Sequence, residues 1–143
     1  MQATPVNILS DNDPAVPAPL RTILYVEDNL DSLKLMQSIV GQIHNARLLI
    51  AHNAKLGLAL AKQKKPDLIL LDINLPGMNG IEALGILRHM KSTQHIPVIA
   101  LTGRVDPTDI QRGLAAGFDA YQTKPVIVKK LIQKINAIFE NLD

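Results

Sequence analysis

A chain of 143 residues, 47% apolar and 20% charged, supports one domain with a hydrophobic core and leaves little room for a second. With no cysteine, disulfides and thiolate metal sites are excluded, and no apolar run reaches the roughly eighteen residues of a membrane span. A net charge of +2 with scattered Lys and Arg, 3% aromatics and no tryptophan argue against a nucleic-acid surface.

Residues 1–20 hold Pro5, Pro14, Pro17 and Pro19 and show no helical or strand period, so they read as a flexible leader or linker, with the folded unit at 21–143. Met1 to Pro5 lack the basic and apolar regions of a signal peptide, and a cytoplasmic protein is expected. Thr22 to Val26 form a short apolar run, the pattern of a strand buried on both faces. Asn29 to Gln42 carry helical spacing through Leu33, Met36 and Val40, extended by Ile43. A second strand at Arg47 to Ala51 leads to a helix from Ala54 to Lys64, with Leu56, Ala59 and Leu60 inward and Lys62 and Lys64 complementing its end. Asp67 to Asp72 is the clearest strand. A loop with Pro76 and Gly77 follows, then a helix from about Asn79 to Met90. Pro97 to Leu101 is the fourth strand, Thr108 to Ala116 the fourth helix with Gly117 beyond its end, and Phe118 to Gln122 the fifth strand. Val126 to Asn141 is the last helix, with Val128, Leu131, Ile135, Ile138 and Leu142 on its main stripe and Ile132 and Phe139 flanking. That broad apolar arc reads as ordinary core before a partner face.

Five strands each followed by a helix require parallel pairing, because the helices supply the crossovers. Five are too few for a closed barrel, so the fold class is α/β, a (βα)5 doubly wound parallel sheet. Such sheets bind ligands at the carboxyl ends of their strands. Glu27 and Asp28 stand there after the first strand, Asn53 after the second, Asp72 after the third, Thr102 after the fourth and Lys124 after the fifth. Singly, each has a plain explanation: Asp28 or Asn29 as a helix cap, Thr102 as a loop hydroxyl, Lys124 as a solvated charge. Together they do not. Three crowded carboxylates repel unless protonated or holding a cation, and an all-oxygen donor set selects magnesium or manganese. An ammonium beside such a cluster suits a phosphoryl group, and phosphoryl transfer asks mainly for positioning and charge neutralisation. One acid is then the nucleophile. Asp72 is best placed, since it ends the central strand and precedes an extended loop.

The chain resembles the receiver (CheY-like) domains of two-component signalling. The resemblance rests on Tyr25-Val26-Glu27-Asp28-Asn29, Leu70-Leu71-Asp72-Ile73-Asn74-Leu75-Pro76-Gly77-Met78-Asn79-Gly80, Ile99-Ala100-Leu101-Thr102 and Ala120-Tyr121-Gln122-Thr123-Lys124-Pro125, over about residues 21–143. It implies the flavodoxin-like strand order 2-1-3-4-5 that CheY itself has. It also implies that Asp72 takes a phosphoryl group from the phosphohistidine of a histidine kinase or phosphotransfer protein. Glu27, Asp28, Asp72 and the backbone carbonyl of Asn74 would bind magnesium. Lys124 would pair with the phosphoryl group beside a cis Lys124–Pro125 bond, Thr102 would swing towards the phosphoryl oxygen, and Tyr121 would rotate into the vacated space. The fourth helix, fifth strand and fifth helix would then present the signal to an unidentified downstream protein, and a homodimer through that face is open. Such a domain is a phosphoacceptor with slow self-dephosphorylation and not a turnover enzyme. It would stand alone or end a hybrid histidine kinase.

Gly103 follows the switch threonine where Ala is common, and Arg104 and Asn74 occupy positions that tune phosphoryl lifetime in the family. A haloacid-dehalogenase-type phosphatase needs an acid where Asn74 stands, and an FMN site needs a phosphate loop where Glu27 and Asp28 stand. No Walker loop or Gly-x-Ser-x-Gly elbow occurs. The remaining alternative is a receiver-like module that docks proteins without phosphorylation. His44, His52, His89 and His95 have no ligand spacing, so the phosphohistidine must come from a partner.

Overall fold

The computed structural model describes residues 19–103 and 107–142. The expected leader therefore lies almost wholly outside the described residues, as does Arg104. Strands and helices alternate: β1 (Arg21–Val26), α1 (Leu30–Gly41), β2 (Ala46–Ala51), α2 (Ala54–Lys64), β3 (Leu68–Asp72), α3 (Gly80–His89), β4 (Val98–Thr102), α4 (Pro107–Ala116), β5 (Ala120–Thr123) and α5 (Val128–Leu142). All pairings are parallel, and the sheet order is β2-β1-β3-β4-β5.

The strand period of two divides the core between the sheet faces. Ile23 and Tyr25 of β1, Leu68 and Leu70 of β3, and Ile99 and Leu101 of β4 face α1 and α5. Leu24, Val26, Ile69, Leu71, Val98 and Ala100 pack with α2 and α3. Continuous apolar runs follow, because the central strands see no solvent on either side.

Asparagine starts each of the first three helices. Asn29, Asn53 and Asn79 accept from the amides of Ser32 (2.9 Å), Leu56 (2.8 Å) and Glu82 (2.9 Å), each cap contributing about 1 kcal/mol. Gly117 ends α4 at φ 110°, the conformation expected of a residue beyond a helix. At the amino edge Arg88 donates to the carbonyls of Gln94 (3.1 Å), Ile96 (2.6 Å) and Gly117 (3.1 Å) and to Asp119 (2.9 Å), while Asp119 also accepts from the Val98 amide (2.7 Å). This clamp joins the start of β4 to the turn before β5. Among the described residues no helix is long and apolar enough to cross a membrane.

Two helix faces differ from the sequence reading. On α2 the buried residues are Ala54, Gly57 and Ala61, while Leu56 points outward. A Cβ at Gly57 would meet Val26 Cγ2 at 2.7 Å, so the helix lies too close to β1 for a large side chain. On α5 the buried stripe is Leu131, Ile135 and Phe139, spaced by four, and Leu142 is exposed. Phe139 is thus core and not flank. Strand β5 also starts later than expected, because the Phe118 amide still donates to the Gly113 carbonyl of α4 (3.3 Å).

One buried side-chain oxygen lacks compensation among the described residues. Gln122, paired with Leu101 and so on the α1–α5 face, has its Oε1 buried without a hydrogen-bond partner among the described residues. Leaving such an atom unpaired costs about 1–3 kcal/mol. Gln122→Leu is therefore expected to raise the unfolding free energy by about that amount, read as a higher urea midpoint at unchanged slope; an equal or lower midpoint would contradict the assignment.

Candidate functional site

The carboxyl edge gathers side chains from three strands. Glu27 follows β1, Asp72 ends β3, and Lys124 follows β5, where the β4–β5 ladder ends with the Lys124 amide donating to the Thr102 carbonyl (2.7 Å). A cis Lys124–Pro125 bond turns the chain from β5 towards α5. The Lys124 ammonium donates to Glu27 Oε1 (2.6 Å) and Asp72 Oδ2 (3.1 Å). One cation bridges two buried acids.

Glu27 is 1% exposed and accepts from four groups: Lys124 and the Tyr25 hydroxyl (3.0 Å) on Oε1, and the amides of Asp28 (3.1 Å) and Asn29 (3.2 Å) on Oε2. Asn29 makes the cap of α1, which leaves the exposed Asp28 carboxylate to the site. Asp72 accepts from Lys124 and from the Asn74 amide (3.0 Å). The loop after β3 folds back tightly, with the Gly80 amide donating to the Ile73 carbonyl (3.0 Å). A Cβ at Gly80 would lie 2.8 Å from Ile73 Cα, so only glycine lets α3 begin there.

The three carboxylates of Glu27, Asp28 and Asp72 each offer an oxygen within 4.8 Å of the others. Three such acids against one ammonium leave net negative charge in a pocket of oxygen donors, which fits a hard divalent cation. Burial pushes the Asp72 carboxyl above its usual range, with the Glu27 charge adding to this and the Asn74 amide and Lys124 only partly opposing it. Burial acts the same way on Glu27, but its hydrogen bonds with Lys124, the Asn29 amide and Tyr25 outweigh it and hold the carboxyl low. For Lys124, burial favours the neutral amine, yet the two carboxylates raise its affinity for the proton. Burial and the Glu27 charge keep the Tyr25 phenol protonated, hence a donor.

Thr102, 1% exposed, and Tyr121 line a cavity of about 200 Å³ with Ile73, Asn74, Asn79, Ile81 and Arg112. The Tyr121 ring stands edge-on to Phe118, with centroids 6.4 Å apart, and rests on Gly113 of α4. Asn53, by contrast, is spent on capping α2. Tyr25 escaped the sequence reading as a site residue. Its signal was present: it precedes Glu27 by two on an extended segment, which puts both on one side.

A family model described as the response regulator receiver domain matches residues 23–136. Protein PilH of Pseudomonas aeruginosa is 38% identical over 116 residues, covering 81% of this chain and 95% of that protein. A probable cyclic di-GMP phosphodiesterase of Vibrio cholerae is 37% identical over 120 residues, 84% of this chain but only 27% of that protein's length. Among solved structures, a CheY-like receiver domain protein from Methanospirillum hungatei matches with TM-score 0.75 at 32% identity, over 85% of this chain and 95% of that one.

The electrostatics give a signed expectation. A carboxyl raised above 3.8 loses stability as pH rises through its folded value, whereas one held below 4.5 contributes stability that is lost only as pH falls through its folded value. At pH 7 without divalent cations, Asp72→Asn should therefore raise the melting temperature by a few degrees and Glu27→Gln should lower it. The Asp72→Asn gain should shrink as pH falls towards 3.8; calorimetric scans across pH check both signs.

Proposed function

Because the chain belongs to the response regulator receiver domain family of two-component signalling, we propose that it accepts a phosphoryl group on Asp72 from the phosphohistidine of a histidine kinase or phosphotransfer protein in the cytoplasm. The observation that carries this is the Lys124 ammonium between Glu27 and Asp72, with Asp28 beside them. An Asp72 carboxylate oxygen attacks phosphorus as the phosphorus–nitrogen bond of the donor breaks. The imidazole keeps the bonding pair and takes a proton from solvent. No base is needed, because the ionised carboxylate is already the nucleophile.

Glu27, Asp28, Asp72 and the Asn74 carbonyl are the residues that would hold magnesium, or manganese. Bound there, the ion neutralises charge on the transferring group. Lys124 pairs with another phosphoryl oxygen. Thr102 and Tyr121 share one cavity, which supports a switch in which the hydroxyl turns to the phosphoryl group and the ring follows. A face formed by α4, β5 and α5, alone or in a homodimer, would then read the state to a downstream protein. Asn74 stands at the mouth of the site, and with Arg104 is assigned the tuning of phosphoryl lifetime. Family members of this kind are signalling phosphoacceptors; the phosphodiesterase named above is matched over a fraction of its length, and its activity is not assigned to this chain. Residues 21–143 would make up the domain, after a leader at 1–20.

Incubation with acetyl phosphate and magnesium should add the mass of one phosphoryl group, labile to alkali. Asp72→Asn or chelation of the metal should abolish the adduct. A folded wild-type protein that stays unmodified under these conditions would instead favour docking without phosphorylation.

A further inference from the structure

A hydroxyl that bonds one of the metal-binding acids belongs to a core residue. Tyr25 is 1% exposed, pairs with Leu70 of β3, and belongs to the apolar cluster between the sheet and helices α1 and α5. Apolar packing explains the ring. It does not explain the hydroxyl, which donates to Glu27 Oε1 at 3.0 Å, the same oxygen that Lys124 reaches at 2.6 Å. The opposite oxygen is already held by two backbone amides.

Glu27 thus has one fixed side and one shared side. The fixed side is held by the main-chain amides of Asp28 and Asn29, just before α1. The shared side depends on Lys124, whose ammonium also bonds Asp72. A phosphoryl group on Asp72 carries more negative charge than Glu27 does, and it draws the ammonium towards itself. When the ammonium leaves, the Tyr25 hydroxyl is the protein donor that stays on Oε1, and a carboxylate oxygen left short of donors is costly.

We infer that Tyr25 is a positioning residue of the phosphoacceptor site, its hydroxyl keeping the Glu27 carboxylate hydrogen-bonded and oriented when Lys124 turns to the phosphoryl group. The assignment rests on the phosphoacceptor reading above and deepens it. Tyr25 does not touch the reacting atoms. It acts through Glu27, and its contribution is larger in the phosphoryl-like state than in the free protein, where Lys124 still serves the same oxygen.

The test uses the full chain and Tyr25→Phe, which removes the hydroxyl and keeps the ring. Magnesium affinity is measured by titration calorimetry, and beryllofluoride affinity at saturating magnesium by fluorine NMR. The expected result is a loss of about tenfold in beryllofluoride affinity, from one hydrogen bond to a charged group, with magnesium affinity changed by less than about threefold and the urea midpoint little altered. Equal beryllofluoride affinities in wild type and Tyr25→Phe, or equal losses for both ligands, would overturn the inference and leave the phosphoacceptor reading intact. Wild-type protein that binds neither ligand would sink that reading, and this inference with it.

Discussion

A single ammonium shared by two buried carboxylates organises this molecule's functional edge. Lys124, Glu27 and Asp72 lie far apart in sequence and come from three strands, two of which flank each other while the third lies at the sheet border. Isolated in a low-dielectric setting, either acid would take up a proton. Bridged, they share its charge, with Glu27 accepting from four groups and Asp72 from two. That asymmetry distinguishes the surroundings of two otherwise similar acids.

The rest of the sheet serves to hold the arrangement. Parallel pairing aligns the carboxyl ends of β1, β3 and β4, so residues that end adjacent strands meet without long loops. The hydrophobic layers on both faces fix the height of each strand. Gly57 lets α2 close upon Val26, and Gly80 lets α3 begin directly beneath the loop that carries Asn74. At the opposite edge Arg88 ties the start of β4 to the turn before β5. The carboxyl edge carries crowded charge and the amino edge carries satisfied charge. Such a division places rearrangement where the polar groups have alternative partners.

Beside the site, Thr102 and Tyr121 open on one cavity, and Tyr121 leans on α4 at a glycine. Lys134 of α5 donates to the Tyr121 carbonyl at 2.8 Å. Strand β5 is therefore linked to α4 by its side chain and to α5 by its backbone. A change in Tyr121 has a direct physical route to both helices, one steric and one through a hydrogen bond. Gln122, whose Oε1 is buried without a partner among the described residues, is the next residue along the same strand.

Local chemistry in the sequence determined the element order, the parallel sheet and the set of residues at its carboxyl edge, because strand runs, helix periods and cap residues depend on near neighbours. Asp72, Glu27 and Lys124 were legible for that reason: each stands at the end of a strand, and strand ends share an edge. Which face of α2 turned inward was not legible. Leu56 and Ala59 fit the helical period as well as Gly57 and Ala61 do, and only the approach of Val26 decided between them. The same holds for Phe139, whose burial depends on how α5 crosses the sheet. Only tertiary structure decided that Tyr25 gives its hydroxyl to Glu27 and that Lys124 bridges Glu27 and Asp72, since such bonds form between groups that the chain brings together only when the sheet has formed.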